Sequence, residues 1–195
     1  YIFKKPARPV DRVFVHCSAS DNPDHDSAAV INDWHKQKGW AGIGYHFFIS
    51  KNGMLEQGRS LEKTPAAQEG KNTATIAICL HGLAGDKFTE AQFDTLRNLC
   101  DQINQAYGGA ITFHGHCEVS KKTCPVFDYR AVLDLDPQGK MALKRAAIVP
   151  LELAGSDFGD LEALKGSVIV LKRGFKGELV KDVQKALTQL GYFPG

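Results

Sequence analysis

Residues 74–80 read Ala-Thr-Ile-Ala-Ile-Cys-Leu, a nearly unbroken apolar run. Its length suits a strand, and Thr75, Ile76 and Ile78 are β-branched, which disfavours the alternative of a short core helix. A strand that is apolar on both faces must be covered on both faces, so the run predicts the centre of a sheet sandwiched by helices. Downstream, Thr89 opens a capping box with Gln92. Phe93, Leu96, Cys100, Ile103 and Tyr107 then recur at helical intervals up to Gly108-Gly109. Ala110–Phe113 follows as a short strand that leads into His114-Gly115-His116. Upstream, Arg12–Val15 alternates apolar and polar residues and carries His16 to its C-terminal end. Ser27 caps a helical stretch from Ala28 to Lys38 that stops at Gly39. Gly44–Ser50 is aromatic and β-rich, and Lys51-Asn52-Gly53 turns it into Met54–Gln57 as a hairpin. Strands and helices alternate throughout. The expected fold is α/β, with a central mixed β-sheet covered by helices on both faces and ligands at the C-terminal ends of the strands.

Composition narrows the classes of function. The 195 residues are 43% apolar and 24% charged, which suits one globular domain with a short appendage. A net charge of +2 lacks the basic stripe of a nucleic-acid binder. No apolar run approaches the roughly 18 residues a membrane span requires, so no membrane insertion is expected. The chain starts at Tyr1 rather than Met, which leaves any export signal open. After about Pro137 the periodicity weakens, and Pro150–Asp160 reads as linker. From Lys165 a strand-like Val168–Leu171 precedes a helix whose stripe is Val180, Val183, Leu187 and Leu190. The expected division is a catalytic domain over 1–140, a linker over 141–165 and a short C-terminal helical segment over 166–195 that is too small for its own core.

Five cysteines (Cys17, Cys79, Cys100, Cys117, Cys124) are an odd number in a chain large enough to fold without staples, so a complete disulfide framework is disfavoured and at least one thiol is free or on a metal. Cys79 and Cys100 fall in core elements. His116 and Cys124 enclose seven residues, and His16 lies at an equivalent strand end. Two imidazoles and one thiolate are a known catalytic zinc set because they leave the fourth tetrahedral position open. On spacing alone, the same residues serve equally as two strand-end histidines and a buried thiol. His114 is a spare candidate, but the interval to the cysteine selects His116. Glu118 suggests the His-x-Glu of zinc deaminases. That pattern also needs Pro-Cys-x-x-Cys, and here Cys124-Pro125 runs in the opposite order without a second cysteine, so Glu118 is expected to be a structural or supporting carboxylate.

Several separate stretches shift this balance. Val15-His16-Cys17-Ser18-Ala19, Trp34-His35-Lys36, Gly39-Trp40, Ile43-Gly44-Tyr45-His46-Phe47, Ile78-Cys79-Leu80 and His116-Cys117-Glu118 through Lys122-Thr123-Cys124-Pro125 agree in order and spacing with one family. Over about residues 11–135 the chain resembles the zinc-dependent N-acetylmuramoyl-L-alanine amidases of type 2, the group of amidase-type phage lysozymes and peptidoglycan recognition proteins. The resemblance implies Zn2+ on His16, His116 and Cys124, with Tyr45 and Lys122 as catalytic side chains. It further implies bacterial peptidoglycan as substrate, action at the cell wall and a monomeric enzyme. His46 and Gln68 are expected to contact substrate; many relatives carry His where this chain has Gln68. The tail from Leu171 to Pro194 resembles the start of a three-helix peptidoglycan-binding module. The main rival reading is a recognition protein that binds wall fragments without cutting them, and a second is a regulatory protein-binding role.

Overall fold

The computed structural model describes residues 1–143. Residues 12–17, 47–49, 55–57, 75–80 and 112–115 form strands β1 (Arg12–Cys17), β2 (Phe47–Ile49), β3 (Leu55–Gln57), β4 (Thr75–Leu80) and β5 (Thr112–Gly115). They make one mixed sheet in the order β3-β2-β4-β1-β5. β4 pairs in parallel with β1 and with β2, β1 pairs in parallel with β5, and β2–β3 is the antiparallel hairpin. Every residue of β4 is buried, as expected of a strand with neighbours on both sides and layers on both faces.

Two helices supply those layers. Helix α1 (Ala28–Gln37) starts where the Ser27 side chain accepts from the Val30 amide. Its Ala28 and Ile31 pack with Ile43, Phe48 and Cys79 on one face. Helix α2 (Glu90–Ala106) starts at the expected capping box, with Thr89 and Gln92 each bonding the other's backbone. Leu96, Leu99, Cys100 and Ile103 pack against Val13, Val15, Ile49, Ile76, Ile78 and Leu80 on the other face. Buried Gln92 also donates to the carbonyls of Ile49 and His81, so it ties the helix start to the ends of β2 and β4. A short helix α3 (Tyr129–Val132) closes the sheet beside β5. The α/β fold read from the sequence is the fold observed.

Two boundaries differ from expectation. The β-rich stretch 44–50 forms a strand only at Phe47–Ile49. Gly44 packs its backbone on Ala66, whose amide bonds the Gly44 carbonyl, and so leaves the sheet. The last strand runs to Gly115 instead of Phe113, which places His114 inside the strand and His116 at the start of a 3-10 turn, His116–Glu118. Tyr1–Lys144 forms one compact unit. The expected linker, apart from residues 141–143, and the expected C-terminal segment lie outside the described residues.

Candidate metal centre and active site

β1 and β5 are parallel neighbours, so their C-terminal ends emerge together at one edge of the sheet. His16 sits near the end of β1 and His116 opens the turn just after β5, with their rings 4.6 Å apart. The loop that follows returns Cys124 to the same place: the Cys17 amide donates to its sulfur at 3.2 Å, and the Cys117 amide donates to its carbonyl at 2.7 Å. His16 Nδ1 lies 3.9 Å from Cys124 Sγ. One ligand atom from each of His16, His116 and Cys124 falls within 4.8 Å of the others, the only such group of His, Cys, Asp or Glu among the described residues.

The electrostatics of this junction suit a cation. Burial, reinforced by His116, pushes His16 down to about 3, and burial with nearby Lys122 lowers His116. Both imidazoles are therefore neutral at pH 7, the form that binds a metal. The Cys124 thiol is held protonated by its hydrogen bond with the Cys17 thiol and by burial. A divalent cation between the two imidazoles favours the thiolate instead, and the Cys17 amide already points at the sulfur that would carry the charge. The donor set and its size fit Zn2+, with room left for a fourth ligand.

A cavity of about 390 Å3 opens beside this cluster, lined in part by His116, Cys124, Tyr45 and Lys122. The Tyr45 ring centre is 5.2 Å from that of His16. Burial, with the Cys79, Cys124 and Cys17 sulfurs nearby, raises its phenol well above 10 and keeps it a proton donor. Lys122, exposed at the rim, reaches the same cavity.

Comparison with known proteins settles the family. The profile of the N-acetylmuramoyl-L-alanine amidase family (Amidase_2) matches residues 6–127. The chain belongs to this amidase family. Two curated relatives are endolysins. That of Escherichia phage T7 is 37% identical over 132 residues, covering 65% of this chain and 87% of that one, and that of Enterobacteria phage T3 is 36% identical over the same length. Among solved structures, the N-acetylmuramoyl-L-alanine amidase LysC from Clostridium intestinale matches with a TM-score of 0.57 at 27% identity, over 64% of this chain and 83% of that one. The Ph2119 endolysin from a Thermus scotoductus bacteriophage shares the fold, with a TM-score of 0.59 at 22% identity over 68% and 88% of the two chains.

Within the amidase, the two expected substrate contacts are not where the sequence suggested. His46 is 1% exposed and does not line the cavity; its Nδ1 accepts from the Ala77 amide and its Nε2–H donates to the Lys63 carbonyl, so it knits β4 to the 59–66 loop. Gln68 is fully buried behind His16, with its Oε1 3.0 Å from His16 Nε2, and does not line the cavity. His114 is turned away from the cluster, bonded to Thr112 and to Glu118. Glu118 accepts from His114, the Tyr129 hydroxyl and the Gly115 amide, so it braces the turn that presents His116, and it does not line the cavity.

Another part of the cavity lining was not anticipated, apart from His35, for which packing or substrate contact was expected. Trp34, His35, Lys38 and Trp40 form it, from α1 and the turn after it. His35 Nδ1 accepts from the Gly44 amide at 3.1 Å, which leaves its other nitrogen protonated, and Trp40 packs edge-on against it at 4.8 Å. The signal was present in the Trp34-His35-Lys36 and Gly39-Trp40 motifs. What was missing was the knowledge that α1 and Tyr45 flank the same opening.

Proposed function

We propose that this amidase is an endolysin that hydrolyses the amide between the lactyl group of N-acetylmuramic acid and the L-alanine of the stem peptide, using Zn2+ held by His16, His116 and Cys124. The observation that carries the metal assignment is the convergence of two neutral imidazoles and one thiol within 4.8 Å, two of them, His116 and Cys124, lining the cavity. Bound there, Zn2+ would supply Lewis acidity toward the scissile carbonyl and toward the attacking water. Tyr45 and Lys122 stand on the cavity wall as donors to the oxygen that gains charge as the carbonyl becomes tetrahedral. The Tyr45 phenol does this as a neutral donor whose proton is retained, and the Lys122 ammonium as a positive one. Trp34 and Trp40 offer apolar faces and His35 and Lys38 offer donors, a combination suited to a sugar joined to a peptide bearing carboxylates. The enzyme acts on the cell wall, and no helix among the described residues is long and apolar enough to cross a membrane. Residues 166–195 are assigned to the start of a wall-binding module that would hold the enzyme near its substrate.

The test is mass spectrometry of fragments released from purified peptidoglycan, with a chelator and after zinc is restored. Stem peptides with a free L-alanine amine, abolished by chelation and recovered with zinc, are the expected products. Intact glycopeptides in every sample, with the protein still sedimenting on the wall, would favour a recognition protein.

A further inference from the structure

Behind the metal junction lies a chain of hydrogen bonds whose direction is set at its far end. The Thr75 hydroxyl has one proton, and at 2.7 Å it faces the Asn72 carbonyl, which can only accept. Thr75 Oγ1 is then an acceptor for its other neighbour, the Gln68 side chain, 2.8 Å away. The Gln68 amide must turn its NH2 toward Thr75 and its carbonyl toward His16. The reverse orientation would set two acceptors against each other at Thr75. A carbonyl has no proton to give, so the 3.0 Å contact requires His16 Nε2 to carry the hydrogen. The lone pair of the His16 ring is thereby placed on Nδ1, the nitrogen 3.9 Å from Cys124 Sγ.

The surroundings make this arrangement hard to escape. His16 is 1% exposed and Gln68 and Thr75 are fully buried, so water cannot substitute for a missing partner. The loop that carries Gln68 is fixed by the Asn72 side chain, whose oxygen accepts from the amides of Ala67 and Gln68, both at 3.0 Å. Asn72 therefore holds the loop with its side chain and orients the relay with its backbone.

We propose that Gln68 is a positioning residue of the metal centre: it fixes the His16 tautomer and ring orientation that present Nδ1 to the metal, with Thr75 and Asn72 fixing Gln68 in turn. This rests on the zinc assignment for the metal itself, but the tautomer is a property of the metal-free protein. Second-layer partners of ligating histidines are commonly carboxylates or backbone carbonyls, and here a side-chain amide takes that place.

Two measurements on the full chain separate the inference from the zinc assignment. In zinc-free protein, nitrogen NMR of the His16 ring should show a protonated Nε2 and an unprotonated Nδ1. Zinc affinity, by competition with a chromophoric chelator, should fall about 10- to 100-fold in Gln68→Leu. Gln68→Glu, which keeps an acceptor against His16, should recover most of that loss. Thr75→Val touches neither His16 nor the metal junction, yet it frees the amide to turn and should weaken zinc by an intermediate factor. A protonated Nδ1 in the wild-type chain would overturn the proposal, as would wild-type zinc affinity in both Gln68→Leu and Thr75→Val. If Gln68→Leu fails to fold, the wild-type tautomer and Thr75→Val still decide. Absence of zinc binding by the wild type, with the expected tautomer present, would sink the metal assignment and leave the hydrogen-bond reading intact.

Discussion

Replacing the Tyr45 hydroxyl by hydrogen removes a donor from the cavity wall and touches none of the three ligands. Tyr45→Phe should therefore keep stoichiometric zinc and lower turnover by about 10^2- to 10^3-fold, the usual effect of losing one donor to a developing oxyanion. Lys122→Ala should behave similarly, and its loss should be partly restored in Lys122→Arg, which retains the charge at the exposed rim. Cys124→Ser is a different case: the Cys17 amide would face a weak neutral hydroxyl, and metal and activity should disappear together. Metal content by atomic absorption beside dye-release from labelled cell walls checks all of these. Full activity in Cys124→Ser would remove the cysteine from the metal set. At this scale, the candidate donors that the fold brings together were legible because His116 and Cys124 are close in sequence and belong to a recognisable pattern. Gln68 was not, because its partner His16 is 52 residues away and only the folded chain shows that the two meet.

Helix α2 and the 116–118 turn show how differently two local devices bear on function. The capping box at Thr89 satisfies helix-end amides far from the cavity, and Thr89 also donates to the Lys51 carbonyl. Thr89→Ala should cost about 1 kcal/mol in urea unfolding and leave zinc affinity unchanged. Gly115 is the last residue of β5, immediately before the turn. A side chain there would lie 2.6 Å from the Tyr129 ring and 3.1 Å from the Cys117 sulfur. Gly115→Ala must push these groups apart, so it should weaken zinc by shifting His116 even where the fold survives; equal zinc affinity in the two variants would refute this. The cap was readable because Thr89 and Gln92 are three residues apart, and β4 was readable because all six of its residues are apolar or β-branched. The short span of β2 was not, since the Gly44–Ala66 backbone contact that displaces the preceding residues joins segments remote in sequence.

Taken as a whole, the molecule buries several histidines in neutral form, and His46 is the clearest of those outside the metal junction. Burial, aided by Arg8 and Arg59 and opposed by the Lys63 carbonyl, lowers it from 6.5 to about 4. In this window the unfolded chain binds the proton that the folded chain refuses. His46 thus contributes fully to stability above about pH 6.5, and the contribution is lost as pH falls toward about 4, by roughly 3 kcal/mol at most. His46→Gln retains a donor and an acceptor without titrating. The stability difference between wild type and His46→Gln, from urea midpoints, should therefore shrink between about pH 7.5 and about pH 5; a constant difference would show that His46 is not the source. The order of the sheet has a further consequence. β1 is the first strand to be synthesised, yet its neighbours are β4, completed at Leu80, and β5, completed at Gly115. Cys124, the last of the three candidate metal donors in the chain, follows both. His16 therefore meets His116 and Cys124 only after the chain through Cys124 has been made, so the junction is among the last parts of the domain to be completed.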